Sequence, residues 1–193
     1  SNDKSILKIV ENDNTGLENA AKQTIFDEND ESFVLQKQGR GAVCIEQSSR
    51  RVLYDENMRD KCYPASTTKI LTAIVVIERL PLDKVVKVPK EAEGVEGSSI
   101  YLKAGQEITV GDLLLGLMLR SGNDAAVALA IETGGSVGIF TALMNQKAKS
   151  VGAVDSHFSN PHGLDDKTHY TTAYDMALIT ANAYENADFC RIV

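Results

Sequence analysis

The sequence predicts an α+β fold that is mostly helical, with short hairpins. Three observations carry this. Several apolar stretches of helical length are bounded by proline at the front and glycine at the back. Short runs rich in β-branched residues come in pairs around turn residues. The composition, 43% hydrophobic and 24% charged over 193 residues, suits one domain with a real core or part of a larger one.

The elements follow in order. Residues 1–39 are polar and irregular, with acidic residues gathered at Asp27, Glu28, Asp30 and Glu31; one short helix is expected over residues 17–26. Residues 40–193 are expected to form one incomplete domain, and core-like sequence starts at Gly41. Residues 42–46 and 51–54 read as a hairpin around the turn Gln47-Ser48-Ser49-Arg50. Pro64 opens a helix expected to run to Leu80, stopped by Pro81. Its residues Ile70, Leu71, Ala73, Ile74, Val75, Val76 and Ile77 leave no polar face, the mark of a buried helix. Residues 85–88 form a short strand. Residues 99–102 and 107–110 are expected to pair as a second hairpin around Lys103-Ala104-Gly105-Gln106. Helices are expected over residues 113–120, 124–132 and 137–151, the last two closed by Gly134-Gly135 and by Gly152. Residues 157–171 form a long loop holding His157, His162 and His169. Thr172-Ala173-Tyr174-Asp175 resembles a capping box and opens a helix to about residue 186.

Charge and composition exclude several classes. A net charge of −7 with no basic patch argues against nucleic acid and against docking on acidic lipid. No apolar run is long enough to span a bilayer, and no secretory signal opens the sequence. Cys44, Cys62 and Cys190 show no zinc spacing; one bridge is possible, but buried or idle free thiols fit better.

The chemistry concentrates at Ser66-Thr67-Thr68-Lys69. A serine and a lysine three positions apart at the start of a helix share one face. An amine in a buried helix resists protonation, because desolvation disfavours the charged form. Beside a hydroxyl, such an amine accepts the proton and leaves a nucleophile. Ser66 lies in the first turn, where backbone N–H groups lack helical partners and stabilise negative charge on an attacked carbonyl oxygen. The bland alternative, a serine cap with a solvated lysine, fits poorly with a helix that is apolar all round. Ser121-Gly122-Asn123 sits between two helices and reads equally as a glycine C-cap followed by an asparagine N-cap. As a partner to Ser66 and Lys69, Ser121 would relay a proton to the leaving amine. Asn123 would donate to a substrate carbonyl and to Lys69. A Ser-His-Asp triad using Ser66 and Asp165, and a metal site from the three histidines with Asp165 and Asp166, have no motif behind them. Asn160-Pro161-His162-Gly163-Leu164 looks like a shaped turn with a scaffold role.

These residues resemble a known family. Tyr63-Pro64-Ala65-Ser66-Thr67-Thr68-Lys69-Ile70-Leu71-Thr72-Ala73 and Leu119-Arg120-Ser121-Gly122-Asn123-Asp124-Ala125-Ala126 are similar to the first two motifs of the low-molecular-mass penicillin-binding proteins, the serine D-alanyl-D-alanine carboxypeptidases. Ser98-Ser99-Ile100-Tyr101-Leu102 with Gly105-Gln106, Phe140 with Met144-Asn145, the 160–164 turn and Thr171-Thr172-Ala173-Tyr174-Asp175-Met176 follow in family order. The resemblance runs from about residue 41 to residue 190. It implies a β-lactamase/transpeptidase-like fold with the site between helices and sheet. It implies removal of the terminal D-alanine from peptidoglycan pentapeptides in the bacterial envelope, outside the cytoplasm. Ser66 would be the acylated nucleophile and Lys69 its base, with Ser121 and Asn123 completing the proton path and holding substrate. β-Lactams would acylate Ser66, and no metal or organic cofactor is implied. A β-lactamase of the same fold and a non-catalytic module binding the peptide or β-lactam are the alternatives.

One departure stands out. The family's third motif, Lys-Thr-Gly on a sheet strand, is absent, and Lys167-Thr168-His169 is no substitute. The sequence is therefore expected to be cut before that strand, to be inactive or nearly so alone, and to expose an apolar face that a dimer or swapped assembly would cover. Any membrane attachment would use a C-terminal segment not in this sequence.

Overall fold

A computed structural model describes residues 41–193. The helix expected over residues 17–26 lies outside the described residues, as does the rest of the polar leader.

Strands β1 (Ala42–Ile45) and β2 (Val52–Glu56) pair antiparallel, Ala42 opposite Glu56, with a bulge between Cys44 and Ile45. The turn between them is held by the Glu46 carboxylate, which accepts from the N–H groups of Ser48 and Ser49. The chain then enters a short 3-10 turn, Ala65–Thr67, before helix α1 (Thr68–Ile77). This helix is shorter than expected. It ends four residues before Pro81, and the Arg79 and Leu80 N–H groups both fold back to the Val76 carbonyl.

The second hairpin forms with a different partner. Strand β3 (Val85–Lys87) pairs antiparallel with β4 (Glu107–Thr109), whereas residues 99–102 are not a strand. The reason is local. Asp124 takes the N–H groups of Ile100 and Leu102 and the Ser99 hydroxyl, so this segment's donors go to a carboxylate rather than to a sheet. Tyr101 sits at φ 62, a left-handed conformation no strand adopts.

Helices α2 (Val110–Leu119), α3 (Asn123–Gly134) and α4 (Val137–Ser150) follow. Thr109 and Ser136 cap α2 and α4 by accepting the Asp112 and Ile139 N–H groups. Helix α5 (Ala173–Ala183) starts at the expected box, where the Thr172 hydroxyl accepts the Asp175 N–H. A further helix, α6 (Ala187–Ile192), was not expected; the Asn186 side chain caps it by accepting from Asp188 and Phe189.

Helix α1 is the axis of the molecule and packs against α2, α3, α4, α5 and α6. Leu71, Ala73, Val75 and Val76 are fully buried, alongside Leu113, Leu117, Leu129, Phe140 and Met144. The alanines of α3 let its neighbours approach closely: Ala125, Ala126, Ala128 and Ala130 have no exposed surface. Burial all round α1 is what removes water from the lysine at its start. Cys44 and Cys190 are free thiols, and both are exposed rather than buried. No single helix among the described residues is long and apolar enough to cross a membrane.

Candidate active site

The site forms where the first turn of α1, the start of α3 and the 160–165 loop meet a cleft of about 520 Å³. Ser66, Glu96, Gly97, Ser98, Asn123, His162, Gly163 and Asp165 are among the residues that line it.

Lys69 is only 3% exposed. Its Nζ donates to Asn123 Oδ1 at 2.8 Å and to the His162 carbonyl at 2.8 Å, and stands 3.4 Å from Ser66 Oγ. Burial pushes its pKa from the ordinary lysine value of 10.5 down to about 8. The geometry suits the neutral amine. Two of its tetrahedral directions meet carbonyl oxygens and the third meets the serine hydroxyl, so once the amine is neutral its lone pair is left for Ser66 Oγ.

Ser66 lies in the 3-10 turn rather than in the helix proper. Its Oγ also accepts from Ser121 Oγ at 3.0 Å. No acceptor among the described residues takes the Ser66 N–H, which leaves it free for an oxyanion. Both hydroxyls sit next to or on left-handed backbone, φ 48 at Ala65 and φ 55 at Ser121.

Asn123 behaves differently from the expectation. It accepts from Lys69 through Oδ1 rather than donating, and its Nδ2 is engaged by the Glu96 carbonyl at 2.7 Å. The amide is thereby fixed in one orientation. Its neighbour Asp124, 1% exposed, clamps residues 99–102 beside it, and the hydrogen bonds it accepts hold its carboxyl below the ordinary value even against burial. Gly97 has no room for a side chain, since a Cβ there would lie 2.6 Å from Asn123 Nδ2.

The structure thus brings Ser66, Lys69, Ser121 and Asn123 together. It does not assemble the histidine alternatives. His157 is exposed and its Nδ1 contacts the Thr168 carbonyl. His169 is buried against Thr68, and the partners of Ser66 are Lys69 and Ser121, not an imidazole. Asp166 caps its own loop through Thr168. No group of three or more His, Cys, Asp or Glu among the described residues is placed to hold a metal ion. Sequence reasoning missed the two backbone carbonyls, of Glu96 and His162, that orient Asn123 and Lys69. It also missed Gly163, where a Cβ would lie 1.8 Å from the Ala65 carbonyl oxygen. The shaped 160–164 turn was the available signal.

A serine hydroxyl against a desolvated lysine amine, on a mixed helix-and-hairpin scaffold, defines the serine–lysine class of site. The sequence profile of one family, D-alanyl-D-alanine carboxypeptidase (Peptidase S11), matches residues 27–189, and the chain belongs to that family. It is 40% identical over 150 residues to the D-alanyl-D-alanine carboxypeptidase DacF of Bacillus subtilis, covering 75% of this chain and 39% of that protein. It is 40% identical over 151 residues to DacC of Escherichia coli, covering 72% and 38%. Among solved structures it superposes on the D-alanyl-D-alanine carboxypeptidase DacD of Francisella tularensis with a TM-score of 0.74 at 38% identity, covering 77% of this chain and 37% of that one. A D-alanyl-D-alanine carboxypeptidase of Mycobacterium tuberculosis gives 0.75 at 33% identity, covering 79% and 58%. The chain therefore spans about two fifths of the length of these curated relatives, 39% and 38%.

Proposed function

We propose that the complete product of the gene encoding this chain is a serine-type D-Ala-D-Ala carboxypeptidase. It acts outside the cytoplasm on peptidoglycan stem peptides, and penicillins acylate the same serine. The observation that carries this reading is the orientation of Lys69, whose two N–H groups are taken by Asn123 and His162 while its third direction faces Ser66 Oγ.

The roles follow from that arrangement. Neutral Lys69 takes the Ser66 proton as Oγ attacks the carbonyl of the penultimate D-alanine. The Ser66 N–H donates to the oxyanion. When the peptide C–N bond breaks, the proton passes through Ser121 to the amine of the departing D-alanine. Water then attacks the ester, the truncated peptide leaves with a carboxylate, and Ser66 recovers its proton.

The test is incubation of the complete gene product with a fluorescent penicillin. A covalent adduct is expected in the wild type and none in Ser66→Ala. Release of D-alanine from a pentapeptide should disappear in the same variant. An adduct that survives Ser66→Ala would refute the assignment, and reversible binding with no adduct would point to a binding module instead.

A further inference from the structure

Lys69 depends on the His162 carbonyl, and that carbonyl belongs to a loop with its own fastenings. Inside the turn, the Asn160 side chain closes residues 160–164 into one unit. Its Oδ1 accepts the N–H groups of Gly163 at 2.7 Å and His162 at 3.3 Å, and its Nδ2 donates to the Leu164 carbonyl at 2.9 Å. On one side the Pro161 carbonyl accepts the Thr72 hydroxyl at 2.7 Å. On the other, His169 ties the loop to α1. Its Nδ1 accepts the Ser159 N–H at 3.0 Å, so the ring proton is on Nε2, which donates to Thr68 Oγ1 at 2.8 Å. His169 is 1% exposed and packs edge-on against Phe158. Thr68, Lys69 and Thr72 thus present one face of α1 to three successive points of the same loop.

We propose that Asn160 and His169 are positioning residues for Lys69: they fix the loop whose His162 carbonyl takes one amine N–H, so that the lone pair faces Ser66. This rests on the reading of Lys69 as the base. Neither side chain touches the reacting atoms. Each acts through a backbone oxygen, which no side-chain motif can encode. Loosening either fastening lets the carbonyl drift, the amine turn and water enter. Burial is what depresses Lys69, so admitted water returns its titration toward the ordinary lysine range. The other titratable groups around it are His162, Asp165 and, behind them, His169 on the loop and Glu96 on the opposite wall; Asn160→Ala and Thr68→Val leave all four in place.

The experiment measures acylation by a fluorescent penicillin against pH, using the complete gene product. Asn160→Ala, His169→Phe and Thr68→Val are compared with wild type and with Phe189→Leu, a core change in α6 away from the loop. The loop variants should acylate about 10-fold or more slowly at pH 7, with the half-maximal pH moved upward by about one unit, as expected for a misaligned general base. Phe189→Leu should lose thermal stability and leave that pH in place. If His169→Phe fails to fold, Asn160→Ala and Thr68→Val decide the question. An unchanged half-maximal pH in the folded loop variants, or an equal shift in Phe189→Leu, overturns the proposal while leaving Lys69 as base. Full acylation of Lys69→Arg overturns both readings.

Discussion

Gly163→Ala is the sharpest perturbation the structure offers. Gly163 adopts φ +92, and a Cβ built there lies 1.8 Å from the Ala65 oxygen, 2.4 Å from its carbon and 3.1 Å from the Ser66 nitrogen. Real Cβ contacts essentially never fall below 3.0 Å, so the Ala65 peptide and the 160–164 turn must part by at least 1.2 Å, from 1.8 Å to 3.0 Å. The Ala65 oxygen belongs to the peptide immediately before Ser66, the proposed nucleophile, so the part of that separation taken up by the peptide moves Ser66 with it. The hydroxyl then leaves both the 3.0 Å contact with Ser121 and its 3.4 Å approach to Lys69. A misplacement of about 1 Å costs on the order of 100-fold in rate, or about 2.7 kcal/mol of barrier. The left-handed torsion adds about 1–2 kcal/mol of folding cost, which lowers Tm by roughly 2–8 °C for a chain of this size. The assay is the second-order rate of acylation by a fluorescent penicillin in the complete gene product, with circular dichroism confirming the fold. Acylation within about threefold of wild type in a folded Gly163→Ala would refute the claim that this glycine seats the nucleophile.

Other outcomes follow from the same geometry. Lys69→Arg should lower acylation by about 100-fold or more, because a guanidinium stays protonated. In the wild type the rate should rise with pH to a half-maximum near 8, where the buried amine loses its proton. Asp124→Asn should cost about 2–4 kcal/mol in urea unfolding, since an amide presents N–H groups to donors that the carboxylate now accepts. The Asp124 carboxyl titrates below 3.8 when folded, so its contribution is present above that pH and is lost as pH falls through the folded value; the variant should lack that acid limb. His162 is pushed from 6.5 down to about 4 by burial first, then by Lys69 and His169. Between those values the unfolded chain binds a proton that the folded chain refuses. Stability should therefore fall as pH drops from 6.5 to 4, and His162→Gln should flatten that slope.

The sequence made the helix apolar all round, and with it the unusual home of Lys69, directly legible. Ser66 and Lys69 needed only their spacing, and Ser121 and Asn123 gained meaning as their partners. The second hairpin takes a different partner from the one expected, because Ile100, Tyr101 and Leu102 next to a turn read as a strand. What decides that segment is a buried carboxylate more than 20 residues downstream, at Asp124. Helix α6 was missed because it is only six residues long, with Asn186 as its cap. The orientation of Lys69 was out of reach for another reason. Its acceptors include a backbone carbonyl, and every residue has one; only the fold says which of them points inward. The direction of the Asn123 amide was hidden in the same way, being set by the Glu96 carbonyl.

The torsions at Ala65 and Ser121 have a consequence for heat. Side chains avoid such backbone angles at a cost of about 1–2 kcal/mol each, so the two hydroxyl-bearing turns hold their shape only while their surroundings press on them. Warming should let those turns relax while the helices around Leu71 and Leu129 are still packed. Catalytic competence would then fade at a lower temperature than the far-ultraviolet signal of the helices.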